Sequence, residues 1–283
     1  MNPTLHAARL GLSRGWTEFK HALVNPQEIG FTVVLSVAVV VVMYFQRDAT
    51  LPGTSISLAT ATLPSVLGML TAFNGLLGAV GSMAVEREDG TLLRAKALPQ
   101  GMVGYLVGRI VSVSLTTVIS VLVVLAAGLV LLPSVARTGP GGWLTLVWVL
   151  VLGLVGTLPL GAIIGAVSNS PQTAAGMSML AVGGLTAISG IFYPLSALAG
   201  WLQALAHVFP LYWLGLGMRS ALSPAGPSAE IGGSWHTLET VGVLGAWAVA
   251  GLLLAPPILR KMARRESGSL MQMRRDRALQ RIG

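Results

Sequence analysis

The chain of 283 residues contains no cysteine. Disulfides, thiolate nucleophiles and thiolate-held zinc or iron–sulfur centres are therefore excluded. Charge is also scarce: Asp, Glu, Lys and Arg make up 10% of the residues, against about 25% in soluble domains. Hydrophobic residues reach 53%, and mean hydropathy is +0.75. Such a chain cannot clothe a water-facing surface of its own size. The class it predicts is an all-α integral membrane protein, because runs this long and apolar satisfy their backbone in lipid by coiling into helices.

The positions without charge exclude more. No Asp, Glu, Lys or Arg lies between Asp48 and Glu86, between Arg109 and Arg137, or between Arg137 and Arg219. Ion-coupled carriers place such a residue within a span to bind the coupling ion or relay protons, and that role has no occupant here. The four histidines, His6, His21, His207 and His236, fall outside the apolar stretches, against an axial haem pair in the bilayer. There is no phosphate-binding loop of the Gly-x4-Gly-Lys-Ser/Thr kind, and no Ser/His/Asp set or carboxylate pair at one depth. The chain is expected to be no enzyme by itself, with no catalytic residue, metal or cofactor of its own.

Six apolar stretches are long enough to cross a bilayer: Ile29–Phe45, Leu58–Ala84, Met102–Leu132, Trp143–Val167, Thr173–Phe192 and Leu238–Leu259. The first follows Arg9, Arg14 and Lys20 without a cleavage pattern after Phe45, so it reads as a retained span. Placing the N-terminus inside puts fifteen of the 18 basic residues on the inner side, leaving Arg47, Arg137 and Arg219 outside. That asymmetry predicts a multi-pass plasma (inner) membrane protein with both termini in the cytoplasm. It also explains the net charge of +8 without a nucleic-acid partner.

Three segments outside the spans carry patterns. Over 4–24, Leu5, Ala8, Leu12, Trp16, Phe19 and Leu23 recur at helical spacing opposite Arg14, Glu18 and His21, the pattern of a helix lying in the interface. Residues 193–222 are apolar and aromatic, but Pro194, Gly200 and Pro210 cut them too short to span. They read as an outer re-entrant segment or an aromatic belt. The tail over 260–283 carries eight basic and two acidic residues, suited to anchoring the last span on anionic lipid. Gly104–Gly108 and Gly161–Gly165 show the spacing that lets helices approach closely, a spacing that arises easily by chance in a chain with 35 glycines.

The one concentrated polar feature is Glu86-Arg87-Glu88-Asp89-Gly90-Thr91-Leu92-Leu93-Arg94, continuing to Leu98 and Pro99. Its acids precede its bases, as a helix dipole favours. The residues alone admit a short helix presented to a partner or a solvated loop. Followed by Gly104-Tyr105-Leu106-Val107-Gly108-Arg109, the segment resembles the connection between the second and third spans of type-2 ABC exporter permeases. A second stretch, Ser189 to Leu211, resembles that family's signature between the fifth and sixth spans.

The resemblance extends over 1–283 as a single type-2 ABC transmembrane domain. It implies a permease that pairs with a second copy or a paralogue, and an ATP-binding subunit on a separate chain where ATP and Mg are held. It further implies that residues 85–98 form the coupling helix against that subunit. Short helices over Leu195–Phe209 would close the outer exit, with Phe192, Tyr193, Pro194, Leu198, Trp201 and Leu202 as gate residues. Family permeases open the third span with a basic residue, and here Arg109 stands several residues in. Thr71, Phe73 and Asn74 interrupt the second apolar run and line a substrate path or, alternatively, make a helix–helix hydrogen bond. Uncharged spans suit a small hydrophobic or amphipathic substrate, a drug, antibiotic, lipid or glycolipid, with a lean toward drug or antibiotic efflux. The rivals are a passive channel and an ATPase-independent or ion-coupled transporter.

Overall fold

The computed structural model describes residues 3–265 apart from 51–56, 89–90, 99, 169–170, 192, 194, 196–197, 224–226 and 228–229. Among the described residues there is no strand, only an isolated bridge between Thr50 and Ser57. Eleven helices follow in order: α1 (Pro3–Ala22), α2 (Pro26–Gln46), α3 (Leu58–Glu88), α4 (Thr91–Ala97), α5 (Gly101–Leu131), α6 (Pro133–Ala136), α7 (Pro140–Val167), α8 (Pro171–Ile188), α9 (Gly200–Val208), α10 (Pro210–Leu222) and α11 (Thr237–Arg265). Proline sits at the first turn of α6, α7 and α10, where its missing N–H costs nothing.

Among the described residues, five helices are long and apolar enough to cross a bilayer: Glu28–Gln46, Leu58–Gly81, Gly101–Leu131, Pro140–Val167 and Thr237–Leu259. The stretch expected as a fifth span of six differs. Its helix, α8, ends at Ile188, and its apolar part, Gln172–Ile188, falls short of the others. Gly190, at φ +62°, turns the chain there. The helices α3 and α7 continue through Pro64 and Pro159.

The core is built on α3 and α7, which pack along each other, with α5, α8, α10 and α11 around them. Leu63, Leu67, Leu158, Leu214 and Leu244 are all but inaccessible there. Outward-facing side chains on α2 (Val34, Phe45), α5 (Val130), α8 (Leu180) and α11 (Leu253) are large and apolar, as lipid-facing surfaces require.

Within the segment 193–222, Gly200–Val208 and Pro210–Leu222 form two helices. On α9, Trp201 and Val208 are exposed, whereas α10 is buried along most of its length among α3, α7 and α11. Contacts fix its register: a Cβ on Gly68 would stand 3.1 Å from Gly215, and one on Gly142 would overlap the Ala221 carbonyl. The α9–α10 corner lies beside α11, where Trp247 Nε1 donates to the Val208 carbonyl at 2.7 Å and the Trp247 ring stacks on Phe209 at 6.1 Å. Trp213 Nε1 donates to the His207 carbonyl at 2.8 Å. At the far end of α10, Arg219 forms a two-pronged pair with Glu230 at 2.5 and 3.1 Å.

Candidate functional site

Arg14 and Glu18 of α1, Glu86 of α3 and Arg109 of α5 meet at one end of the bundle. Ala7, Gly11 and Gly15 form a ridge of small residues on α1 that lies against Gly104 and Gly108 of α5. A Cβ on Gly11 or Gly15 would overlap the carbonyl oxygen of Gly104 or Gly108. In the reverse direction, a Cβ on Gly104 would stand 2.8 Å from the Ala7 carbonyl. Only glycine permits that approach. The Gly161–Gly165 pair of α7 is also used, Gly161 lying against the Leu76 carbonyl of α3.

This seating leaves α1 with three distinct faces. Leu5, Leu12, Trp16 and Leu23 of the apolar stripe stay exposed, while Phe19 is buried. Arg14 and Glu18 turn toward α3 and α5. There, Arg109 Nη2 pairs with Glu86 at 2.6 Å, Arg14 Nη2 reaches the same carboxylate at 3.0 Å, and Arg14 Nε holds Glu18 at 2.7 Å. Arg109 Nη1 lies 3.7 Å from Glu18. The Tyr105 hydroxyl donates to Glu86, and the Arg14 guanidinium stands over the Tyr105 ring at 5.3 Å. The side chains of Glu86 and Arg109 are each only 13% exposed. Two bases and two acids thus balance each other where a lone charge would be costly.

The segment expected as one helix over 85–98 is described on both sides of 89–90. Glu86, Arg87 and Glu88 end α3, and a new helix, α4, begins at Thr91. The Glu86 carboxylate points into the ion-pair cluster. Asp89 and Gly90 lie outside the described residues, as do the side chains of Arg87, Glu88 and Leu93. On α4, Leu92 and Ala95 are buried against Met83, Met102 and Tyr105. Arg94, hydrogen-bonded to Thr91 at 3.2 Å, and Leu98 beyond the helix face outward. Arg109 stands in the third turn of a helix that begins at Gly101, and its distance from that start is what brings it level with Glu86.

Beside the cluster, α1, the start of α2, α3 and α5 enclose a cavity of about 630 Å³. Glu18, Glu28, Asn74, Arg109, Thr116 and Thr117 are among its walls. Of the three expected path residues, only Asn74 reaches it. Thr71 is buried, its hydroxyl donating to the Leu67 carbonyl at 2.8 Å, and Phe73 packs against the apolar core. Of the expected gate residues, Tyr193 and Leu198 are half-buried, and on α9 Trp201 is exposed and Leu202 half-buried. Phe192 and Pro194 lie outside the described residues, as does the tail over 266–283. Sequence reasoning missed the Arg14–Glu18–Glu86–Arg109 cluster. Its one signal was a basic residue well inside an apolar run, which requires a buried acid.

The model of one family, described as ABC-2 type transporter, matches residues 14–223. No curated protein matches the chain.

Proposed function

Since the chain belongs to the ABC-2 type transporter family and is the permease component of an ABC transporter, we propose that it works as the membrane half of an ATP-driven exporter. In this reading it pairs with a second permease, a copy or a paralogue, and each half docks an ATP-binding subunit carrying ATP and Mg. The cargo is a hydrophobic or amphipathic molecule such as a drug, antibiotic, lipid or glycolipid. The ion-pair end faces the cytoplasm of the plasma (inner) membrane, α1 lies in the inner interface, and α8 with the α9–α10 pair forms the fifth crossing and its outer re-entrant closure. The sixth crossing is α11.

One observation carries the proposal. The helix α4 is held by Leu92 and Ala95 against the ends of α3 and α5 while Arg94 and Leu98 project outward. Two residues from the end of α3, Glu86 is locked to Arg109 and Arg14. A push on α4 by a closing ATPase therefore reaches α3, α5 and α1 through packed and ion-paired contacts rather than through a loose loop. Residues 85–98 are the coupling segment, with Glu86 as its internal anchor and Arg94 and Leu98 on its docking face.

Pull-down from detergent tests it. An ATP-binding subunit is expected to follow the wild-type protein, and Leu98→Asp or Glu88→Ala to reduce the amount recovered severalfold and to lower export in step. Undiminished recovery and export with both variants would remove the coupling assignment. Transport that persists without any ATPase would point to the passive channel.

A further inference from the structure

The cavity between α1, the start of α2, α3 and α5 has a chemical bias of its own. Around it the Arg14–Glu18–Glu86–Arg109 cluster is neutral as a set, and Glu28 adds a carboxylate with no ion-pair partner among the described residues. The hydroxyls of Thr116 and Thr117 each donate to their own helix, to the Ser112 carbonyl at 3.0 Å and the Val113 carbonyl at 2.8 Å. Their protons are thus spent, and what they can offer the cavity is lone pairs. Glu18 Oε2 is buried and accepts no hydrogen bond, having only the Arg109 guanidinium at 3.7 Å. Asn74 adds an amide oxygen at the wall. Against these acceptors stand the exposed His21 and Asn25 at the rim and, among the described residues, one buried donor without a partner, Arg109 Nε.

A hollow with mostly apolar walls, several acceptors and more carboxylates than guanidinium groups complements an amphiphile whose positively charged group carries several N–H donors and a neighbouring oxygen. We propose that this cavity binds the primary ammonium headgroup of an amphiphile, Glu28 and Glu18 supplying the charge, Thr116, Thr117 and Asn74 the acceptors, and Arg109 Nε the contact to the adjacent oxygen. The inference deepens the exporter reading by naming a substrate class and the inner-end site where it is first held. Its test is a binding measurement, so it fails independently of ATPase docking.

The lipid-stripped full chain in dodecyl maltoside is titrated with decylamine and with decyl sulfate, and adducts are counted by native mass spectrometry. One saturable decylamine per chain is expected, with no saturable decyl sulfate. Glu28 lies at the exposed rim of the cavity, so Glu28→Gln leaves the fold standing. It should weaken decylamine about fivefold, the factor for a part-exposed ion pair at the upper end of its range. Asn74→Leu, which fills the wall with an apolar branch, should weaken it at least as much. Displacement of decylamine by short-chain phosphatidylethanolamine supports a lipid headgroup as the ligand, and failure of displacement supports a free amine. Equal binding of decyl sulfate, or wild-type decylamine affinity in both variants, would overturn the site.

Discussion

At the scale of single residues, the pair between Glu86 and Arg109 holds the candidate site together. Each charge has been taken out of water, and their attraction offsets that loss only while both are present. Replacing Glu86 by Gln leaves Arg109 facing Glu18 alone at 3.7 Å, and should cost about 3 kcal/mol. Arg109→Met should cost a similar amount by stranding Glu86 beside Arg14. The double variant Glu86→Met with Arg109→Met is expected to melt closer to wild type than either single variant. Thermal unfolding in detergent, followed by intrinsic tryptophan fluorescence, measures the order. Singles that melt with the wild type would show that the cluster bears no load. The acids and bases involved were all legible in the sequence, but their pairing was not. Glu86 opens a run of charges that reads as surface, and the partner that turns it inward is Arg109, on another helix.

Among the helices, the seating of α1 on α5 is decided by atoms that are missing. The glycines at 11, 15, 104 and 108 bring two backbones to a separation no side chain allows. Gly11→Val should force them apart at a cost of about 1–3 kcal/mol, the range for overpacking a close contact. Hydrogen exchange over 3–22 is expected to accelerate in that variant while α7 and α10 keep their protection, and unchanged exchange over 3–22 would contradict the close seating. The Gly104–Gly108 spacing was visible beforehand and indistinguishable from chance in so glycine-rich a chain. It became informative only with the matching ridge Ala7–Gly11–Gly15 across from it. The apolar stripe does lie on a helix, yet it is the small-residue ridge that seats α1 on α5, and of the stripe's large side chains Phe19 is buried while Leu5, Leu12, Trp16 and Leu23 stay exposed. For α4, the residues alone left a short helix and a solvated loop both open, and the burial of Leu92 and Ala95 against other helices decided for the helix.

For the whole molecule, the absence of cysteine offers a direct check, since any introduced thiol is the sole one. In sealed membranes of known sidedness, Leu98→Cys and Lys261→Cys should react with a membrane-impermeant maleimide only from the cytoplasmic face, and Arg137→Cys only from the outer face. The opposite pattern would invert the proposed orientation. Composition and the spacing of apolar runs by themselves determined that the chain is helical and lies in a membrane, because each long uncharged run must satisfy its own backbone and shed water wherever it sits in the fold. They also placed four of the long helices to within a few residues at each end, and the start of the fifth, α11. The tertiary structure alone decided that α8 stops short at Ile188, that α10 is buried while α9 stays largely exposed, and that Arg14, Glu18, Glu86 and Arg109 converge beside a cavity. Those outcomes depend on which surfaces of separate helices meet, and a pattern that repeats every turn of one helix carries no record of its neighbour.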